Sequence, residues 1–226
     1  MTNLSIDIYS DVMCPWCIIG YRNLLKALDE LEGEIEVETR WRPFELNPDM
    51  PPEGEERLEH IARKYGRTID QARVGAAQMQ ERAEQVGYSF EWEGEGEEPP
   101  ALMRNTFLAH KLLAHALDEA GWEVQTDLKL ALFDAHFRDR RNVADREVLL
   151  ELAESVGLDR DAASTALDNE ALSQRIRAEE RAAFDANITG VPAMVVAGKF
   201  LIPGAQAPEV YVNALRRVAE KSQAKG

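Results

Sequence analysis

The sequence predicts an α/β fold in which one sheet, built from strands at both ends of the chain, is interrupted after its second strand by a large all-helical insertion. Three observations predict it. The first 46 residues read strand, helix, strand; residues 47–187 carry helical periodicity almost throughout; and the remainder returns to short apolar runs before one last helix. A chain of 226 residues that is 45% hydrophobic can bury a substantial core. Strands at both ends flanking a helical middle imply that the two ends meet.

Leu4, Ile6 and Ile8 alternate with Ser5, Asp7 and Tyr9, the mark of a strand with one buried face. After Ser10-Asp11 the spacing changes, and Ile18, Tyr21, Leu24, Leu25, Leu28 and Leu31 form a helical stripe that Gly33 is expected to close. Ile35, Val37, Thr39 and Trp41 then alternate with charged residues up to Pro43. A short helix is expected over 58–65, and a second is opened by the capping box of Thr68 and Gln71. Tyr88 to Trp92 reads as extended, and an acidic, turn-rich connector runs from Gly94 to Pro100. Helices follow near 101–120, 124–138, 145–156, 159–168 and 170–186. Ala193 to Val196 and Lys199 to Ile202 then form a hairpin around Ala197-Gly198, and Pro208 opens the final helix. The expected units are 1–46 and 188–226 for the two parts of the sheet-bearing domain and 47–187 for the helical insertion, its last helix packing back on the sheet.

Charge is strongly skewed, with 41 acidic against 26 basic residues and a formal net of −15. That field repels phosphate backbones and argues against nucleic acid as partner. The first residues show neither the basic nor the apolar region of a secretory signal, and no apolar run approaches the ~18 residues that span a bilayer, so a cytoplasmic protein without a membrane partner is expected.

Cys14 and Cys17 are the sequence's two cysteines. A disulfide between them would close almost no loop, so stapling explains them poorly. Zinc would need four ligands, and His60, His110, His115 and His136 all lie on distant helical patterns, so no metal is expected. The Cys14-Pro15-Trp16-Cys17 run sits where a strand gives way to a helix, with Pro15 in the first turn. Unpaired N–H groups and the helix dipole favour an anion there. Position therefore assigns Cys14 as the more exposed, attacking thiolate and Cys17, one turn in, as the resolving thiol. Asp11 reads as a turn residue or a proton relay, Trp16 as an exposed substrate contact, and Asn105, Thr106 and His110 as a polar edge toward the cleft or as cap and core residues. Met103, Phe133, His136 and Phe137 read as packing.

The run from Asp11 to Gly20 resembles the active-site segment of the DsbA-like thioredoxin superfamily, in particular its FrnE-type branch. Trp41 to Pro48, Asn105-Thr106 with Ala109-His110, and Gly190-Val191-Pro192 with Gly204-Ala205-Gln206 match the same branch in order. The resemblance implies a thioredoxin-like fold with the helical insertion after the second strand, and a cis bond between Val191 and Pro192 beside the cysteines; spacing alone leaves Pro192 as an ordinary strand-entry proline. Cis geometry would free the Val191 backbone to pair with substrate. Pro15, Trp16, Val191 and Pro192 are thus the expected substrate-binding residues.

The activity implied is that of a thiol–disulfide oxidoreductase or disulfide isomerase. Its partners would be disulfide- or thiol-bearing polypeptides or a small thiol, with glutathione or a thioredoxin-type donor as redox partner and no bound cofactor; the chain would be a monomer or dimer. Trp16 stands where oxidising relatives often carry histidine, so less thiolate stabilisation is expected. Kappa-class glutathione transferases and hydroxychromene-carboxylate isomerases share much of the architecture but typically place serine at the first cysteine position. A glutathione-dependent isomerase or transferase on a small aromatic substrate, and a non-enzymatic polypeptide-binding module, are the alternatives.

Overall fold

The computed structural model describes residues 1–223. Strand β1 (Thr2–Ser10), helix α1 (Pro15–Glu30) and strand β2 (Ile35–Pro43) open the chain. Then come β3 (Glu55–Glu56), α2 (Arg57–Tyr65), α3 (Ile69–Gln85), β4 (Leu102–Met103), α4 (Phe107–Phe137), α5 (Arg146–Ser155), α6 (Arg160–Asp168) and α7 (Glu170–Asp185). β5 (Ala193–Val196), β6 (Phe200–Pro203) and α8 (Pro208–Gln223) complete the order.

The two ends of the chain do meet. The main sheet runs β2-β1-β5-β6; β1 pairs in parallel with β2 from Thr2 opposite Ile35 and antiparallel with β5 through Ile8 opposite Met194. As a central strand, β1 buries Leu4, Ile6 and Ile8, and α1 and α8 pack together over one core with them. Fully burying an isoleucine of this kind contributes roughly 1.5–3 kcal/mol. Ala197 (φ 50°) and Gly198 (φ 65°) make the tight turn between β5 and β6, as their sequence suggested.

At the β2 edge of the sheet α4 lies against that strand. Gln125 replaces a neighbouring strand there: Trp41 N–H donates to its Oε1 at 2.9 Å and its Nε2 donates to Trp41 O at 3.0 Å. The Trp41 indole donates to Thr126 Oγ1 at 3.1 Å and its ring meets Phe133 edge-on. Helix α4 thereby covers an edge strand that would otherwise be open to pairing. Its outer face joins α5 and α6 in a second core of leucines and alanines. α7 touches both β2 and α4, and the rings of Phe44 and Phe184 lie 5.3 Å apart.

Several expectations are corrected in detail. The helix expected from 101 begins at Phe107, because Leu102–Met103 pairs with Glu55–Glu56 in a two-stranded ribbon too short to show a period. The helices expected at 101–120 and 124–138 are continuous but for a break at Gly121, whose φ of 88° suits glycine. Tyr88 to Trp92 pairs with no strand; Tyr88 and Phe90 instead anchor an irregular segment in the main core. The helix α1 stops before Gly33, which takes its left-handed conformation (φ 79°) in the turn beyond. The capping box of Thr68 and Gln71 is made in both directions.

Candidate active site

Beyond Ser10 the chain turns through Asp11, Val12 and Met13 and delivers Cys14 to the N-cap of α1. Pro15 occupies the next position, where its missing N–H removes no helical bond. The Cys17 amide donates to Cys14 O at 3.0 Å, so one turn stacks the two residues. Both are free thiols, and both are buried. The expected difference in access is small, 4% exposure for Cys14 against none for Cys17.

The cover comes from a segment 177 residues away in the chain: Cys14 Sγ lies 3.7 Å from Val191 O. The Val191–Pro192 bond is cis. This loop presses on α1 at Gly20, where a Cβ would stand 3.2 Å from Pro192 Cγ and 3.3 Å from Ala205 Cα. Gly204 N–H donates to Pro192 O at 2.8 Å, and Asn23 Nδ2 donates to Gln206 O at 2.9 Å, tying both matching loops to the same helix.

Behind the sulfurs lies a residue that motif reading missed. Lys129 of α4 is fully buried, and its Nζ has no hydrogen-bond partner among the described residues. It sits 5.3 Å from the Trp41 ring centroid and 4.9 Å from that of Phe133. Burial pulls its ammonium down to about 8, against the opposing charges of Cys17, Asp11 and Cys14. A lysine inside the apolar run Leu128 to Phe133 was the available sign. The expectation drawn from Trp16, less stabilisation of the Cys14 thiolate, agrees with the raised Cys14 thiol; the cation that the site does have comes from the insertion and favours Cys17.

That cation also changes which thiol is favoured as an anion. The hydrogen bond with Cys17, burial, and the charges of Cys17 and Asp11 push the Cys14 thiol well up. Burial opposes the Cys17 anion too, but the Cys14 thiol, Lys129 and the Ser10 hydroxyl outweigh it and bring Cys17 below its ordinary value. The two sulfurs therefore titrate as one pair, with Cys17 the favoured anion and Cys14 holding the proton. The helix entrance alone did not decide the matter, because Cys14 is covered and faces a carboxylate.

Asp11 is completely buried, its oxygens taking the amides of Leu46 at 2.7 Å and Met13 at 3.3 Å. Burial raises its carboxyl, against the pull of the Leu46 amide and of Lys129. Thr106 and His110 are buried behind this cluster and do not form an open polar edge; the His110 Nε2 has no partner among the described residues. Asn105 closes the turn before α4, where its Oδ1 accepts from Phe107 N at 2.9 Å and its Nδ2 donates to Pro48 O at 3.2 Å.

Trp16 is 36% exposed, with the Arg82 guanidinium 5.5 Å from its ring centre. On α2, the Lys64 ammonium donates to Leu46 O at 2.9 Å and Asn47 Oδ1 at 2.7 Å, within the field of Asp11 and Cys14. Next to this loop, Glu45 and Glu180 are buried around Arg177, which pairs with both. Burial, then the Glu180 charge, pushes Glu45 up to about 7. Met103, Phe133, His136 and Phe137 are buried, as packing requires. Among the described residues no group of histidine, cysteine and carboxylate side chains converges as a metal centre, and no helix is long and apolar enough to cross a membrane.

The profile of the DSBA-like thioredoxin domain matches residues 5–216. The protein YwbO of Bacillus subtilis (strain 168) is 29% identical over 212 residues, covering 93% of this chain and 94% of its own. The solved structure of a probable DsbA oxidoreductase, SCO1869 from Streptomyces coelicolor, superposes with a TM-score of 0.79 at 31% identity, covering 95% of this chain and 89% of that one. The cytosolic disulfide reductase DsbM from Pseudomonas aeruginosa shares the fold at a TM-score of 0.61 and 19% identity, over 96% and 98% of the two chains. The ordered motifs, the dithiol at a strand-to-helix junction and these likenesses agree: the chain belongs to the family of the DSBA-like thioredoxin domain.

Proposed function

We propose that this protein is a thiol–disulfide oxidoreductase in which Cys14 attacks and Cys17 resolves. One observation carries the reading: a dithiol at the N-cap of α1 lies against the backbone carbonyl of Val191 and in the field of the buried Lys129 ammonium. Cys14, at the rim, is the sulfur a substrate reaches. Passing the shared proton to Cys17 frees the Cys14 thiolate, which attacks one sulfur of a substrate disulfide; a mixed disulfide forms and the other substrate sulfur leaves as thiolate. Cys17 then loses its proton within the Lys129–Asp11 cluster and attacks Cys14 Sγ. The second substrate thiolate departs, the Cys14–Cys17 disulfide closes, and two electrons have moved to the substrate.

Val191 offers its backbone to a bound chain, and Trp16 its exposed ring. Disulfide-bearing polypeptides or a small thiol such as glutathione are the substrates this reading implies, with glutathione or a thioredoxin-type donor restoring the dithiol in the cytoplasm. Cys14→Ser should abolish insulin reduction and refolding of a scrambled substrate while circular dichroism stays unchanged. Turnover at the wild-type rate in that variant would refute the proposal.

A further inference from the structure

The dithiol, the end of β2 and the Val191 loop all lie at one end of the main sheet. Ser10 of β1 stands level with Pro43 of the parallel strand β2, and Tyr9 stands opposite Ala193 of the antiparallel strand β5. Phe44 and Leu46 therefore leave the sheet beside the cysteines, and Val191 enters it there. Helix α7 finishes at the same end. Ile188 N–H donates to Ala183 O at 2.9 Å, and both residues share a small apolar cluster with Phe44, Ala193, Leu46 and Val191.

Phe184 lies on the rim of this cluster. Six of the seven phenylalanines are buried or half-buried, whereas Phe184 is 54% exposed. Its ring centre stands 5.3 Å from that of Phe44, so it leans on the cluster with the remainder open to solvent. A single exposed apolar residue is common on protein surfaces, and what sets this one apart is its neighbours. Val191 and Leu46, both half-buried, continue the apolar surface toward the dithiol. Val191 O meets Cys14 Sγ at 3.7 Å, and Leu46 N–H donates to Asp11 Oδ2 at 2.7 Å. The Lys64 ammonium, bonded to Leu46 O, borders the patch with charge.

We propose that Phe184, with Phe44, Leu46 and Val191, forms a subsite for an apolar side chain of the polypeptide substrate near its reacting cysteine, a preference that rests on the exchange reaction proposed above. A substrate held by the Val191 backbone is extended, and its alternate side chains fall on one face about 7 Å apart. With its cysteine at Cys14, side chains a few positions away reach the patch. Aromatic and aliphatic groups gain most there, because a ring surface is covered and no polar group is stripped of water. A second copy of the chain is the other occupant such a surface admits, and the continuity of the patch with Val191 favours substrate.

The test measures exchange rates of the reduced full chain with two short peptides, each as its symmetric disulfide, carrying Phe or Ser at the positions two residues from the cysteine. Appearance of the free peptide thiol is followed by chromatography. The wild-type protein should prefer the Phe peptide by about fivefold or more, Phe184→Ala should reduce that ratio to about twofold or less, and Phe184→Tyr should keep it. The Ser peptide reports the reactivity of the dithiol in each variant, so the ratio is independent of any loss of folded protein. Exchange with the Ser peptide but no preference in the wild type, or a preference that survives Phe184→Ala, would overturn the subsite and leave the exchange reaction standing. No exchange with either peptide would overturn both. A smaller assembly of Phe184→Ala in size-exclusion chromatography, with the preference intact, would make the patch a contact between copies and refute the substrate subsite.

Discussion

Replacing Lys129 by methionine separates what this residue costs the fold from what it does for the dithiol. The ammonium is fully buried and its pKa falls from 10.5 to about 8, so the folded protein holds that charge at a cost of ~3 kcal/mol. A folded pKa below the unfolded one means that the unfolded chain binds more protons between pH 8 and 10.5. Wild-type stability should therefore rise across that window, through this group, and the variant should lose the slope. Methionine keeps the length of the stem against Trp41 and Phe133, so at pH 7 the variant should gain roughly 1–3 kcal/mol. The dithiol should suffer the opposite effect. Removing a cation that favours the shared thiolate should raise the first thiol pKa by about 1–2 units. At a pH above the first thiol pKa, each unit favours the disulfide over the dithiol by ~1.4 kcal/mol, about 30 mV toward a more reducing couple. Absorbance of the thiolate near 240 nm against pH, iodoacetamide rates, calorimetry and a glutathione redox titration read these quantities. An unchanged thiol pKa together with a loss of stability would refute the reasoning, since Lys129 would then be a structural cation with no hold on the sulfurs.

Four further outcomes follow from the same geometry. Glu45 is raised from 4.5 to about 7, so its contribution to stability is present below pH 4.5 and lost as pH rises through about 7; Glu45→Gln should flatten that part of the Tm-against-pH curve. Gly20→Val would drive two methyl groups into Pro192 and Ala205, and should cost about 1–3 kcal/mol in denaturant unfolding and lower disulfide exchange by displacing Val191 from Cys14. Cys17→Ser should trap the mixed disulfide at Cys14, visible as a mass increase equal to the substrate thiol, and release it only with added reductant. Trp16→Ala should raise KM for a peptide disulfide several-fold with Tm shifted by no more than a degree or two, because the ring is one-third exposed, lies outside the buried core and has the Arg82 guanidinium over its face.

The main sheet and its order of elements were legible because β1, β2 and the β5–β6 hairpin each carry a period-two pattern or a tight-turn pair, and α1 a clear apolar stripe. The ribbon of Glu55–Glu56 with Leu102–Met103 was not, since two-residue strands are held by pairing and have no pattern of their own. The dithiol was equally plain, as two cysteines one turn apart at a strand-to-helix junction have few other uses. Its electrostatics were legible only in part from local position. The helix entrance favours an anion at Cys14, yet the charges that decide the proton come from Asp11 beside it and from Lys129, more than a hundred residues on.

By itself, then, the sequence determined the elements, the meeting of the two ends and the placing of both cysteines at a strand-to-helix junction, because periodicity, turn residues and motif spacing are local properties. Only the tertiary structure decided the depth of the sulfurs under the Val191 loop and the cation behind them. Burial and Coulomb interactions depend on distance in space, and no reading along the chain supplies that distance.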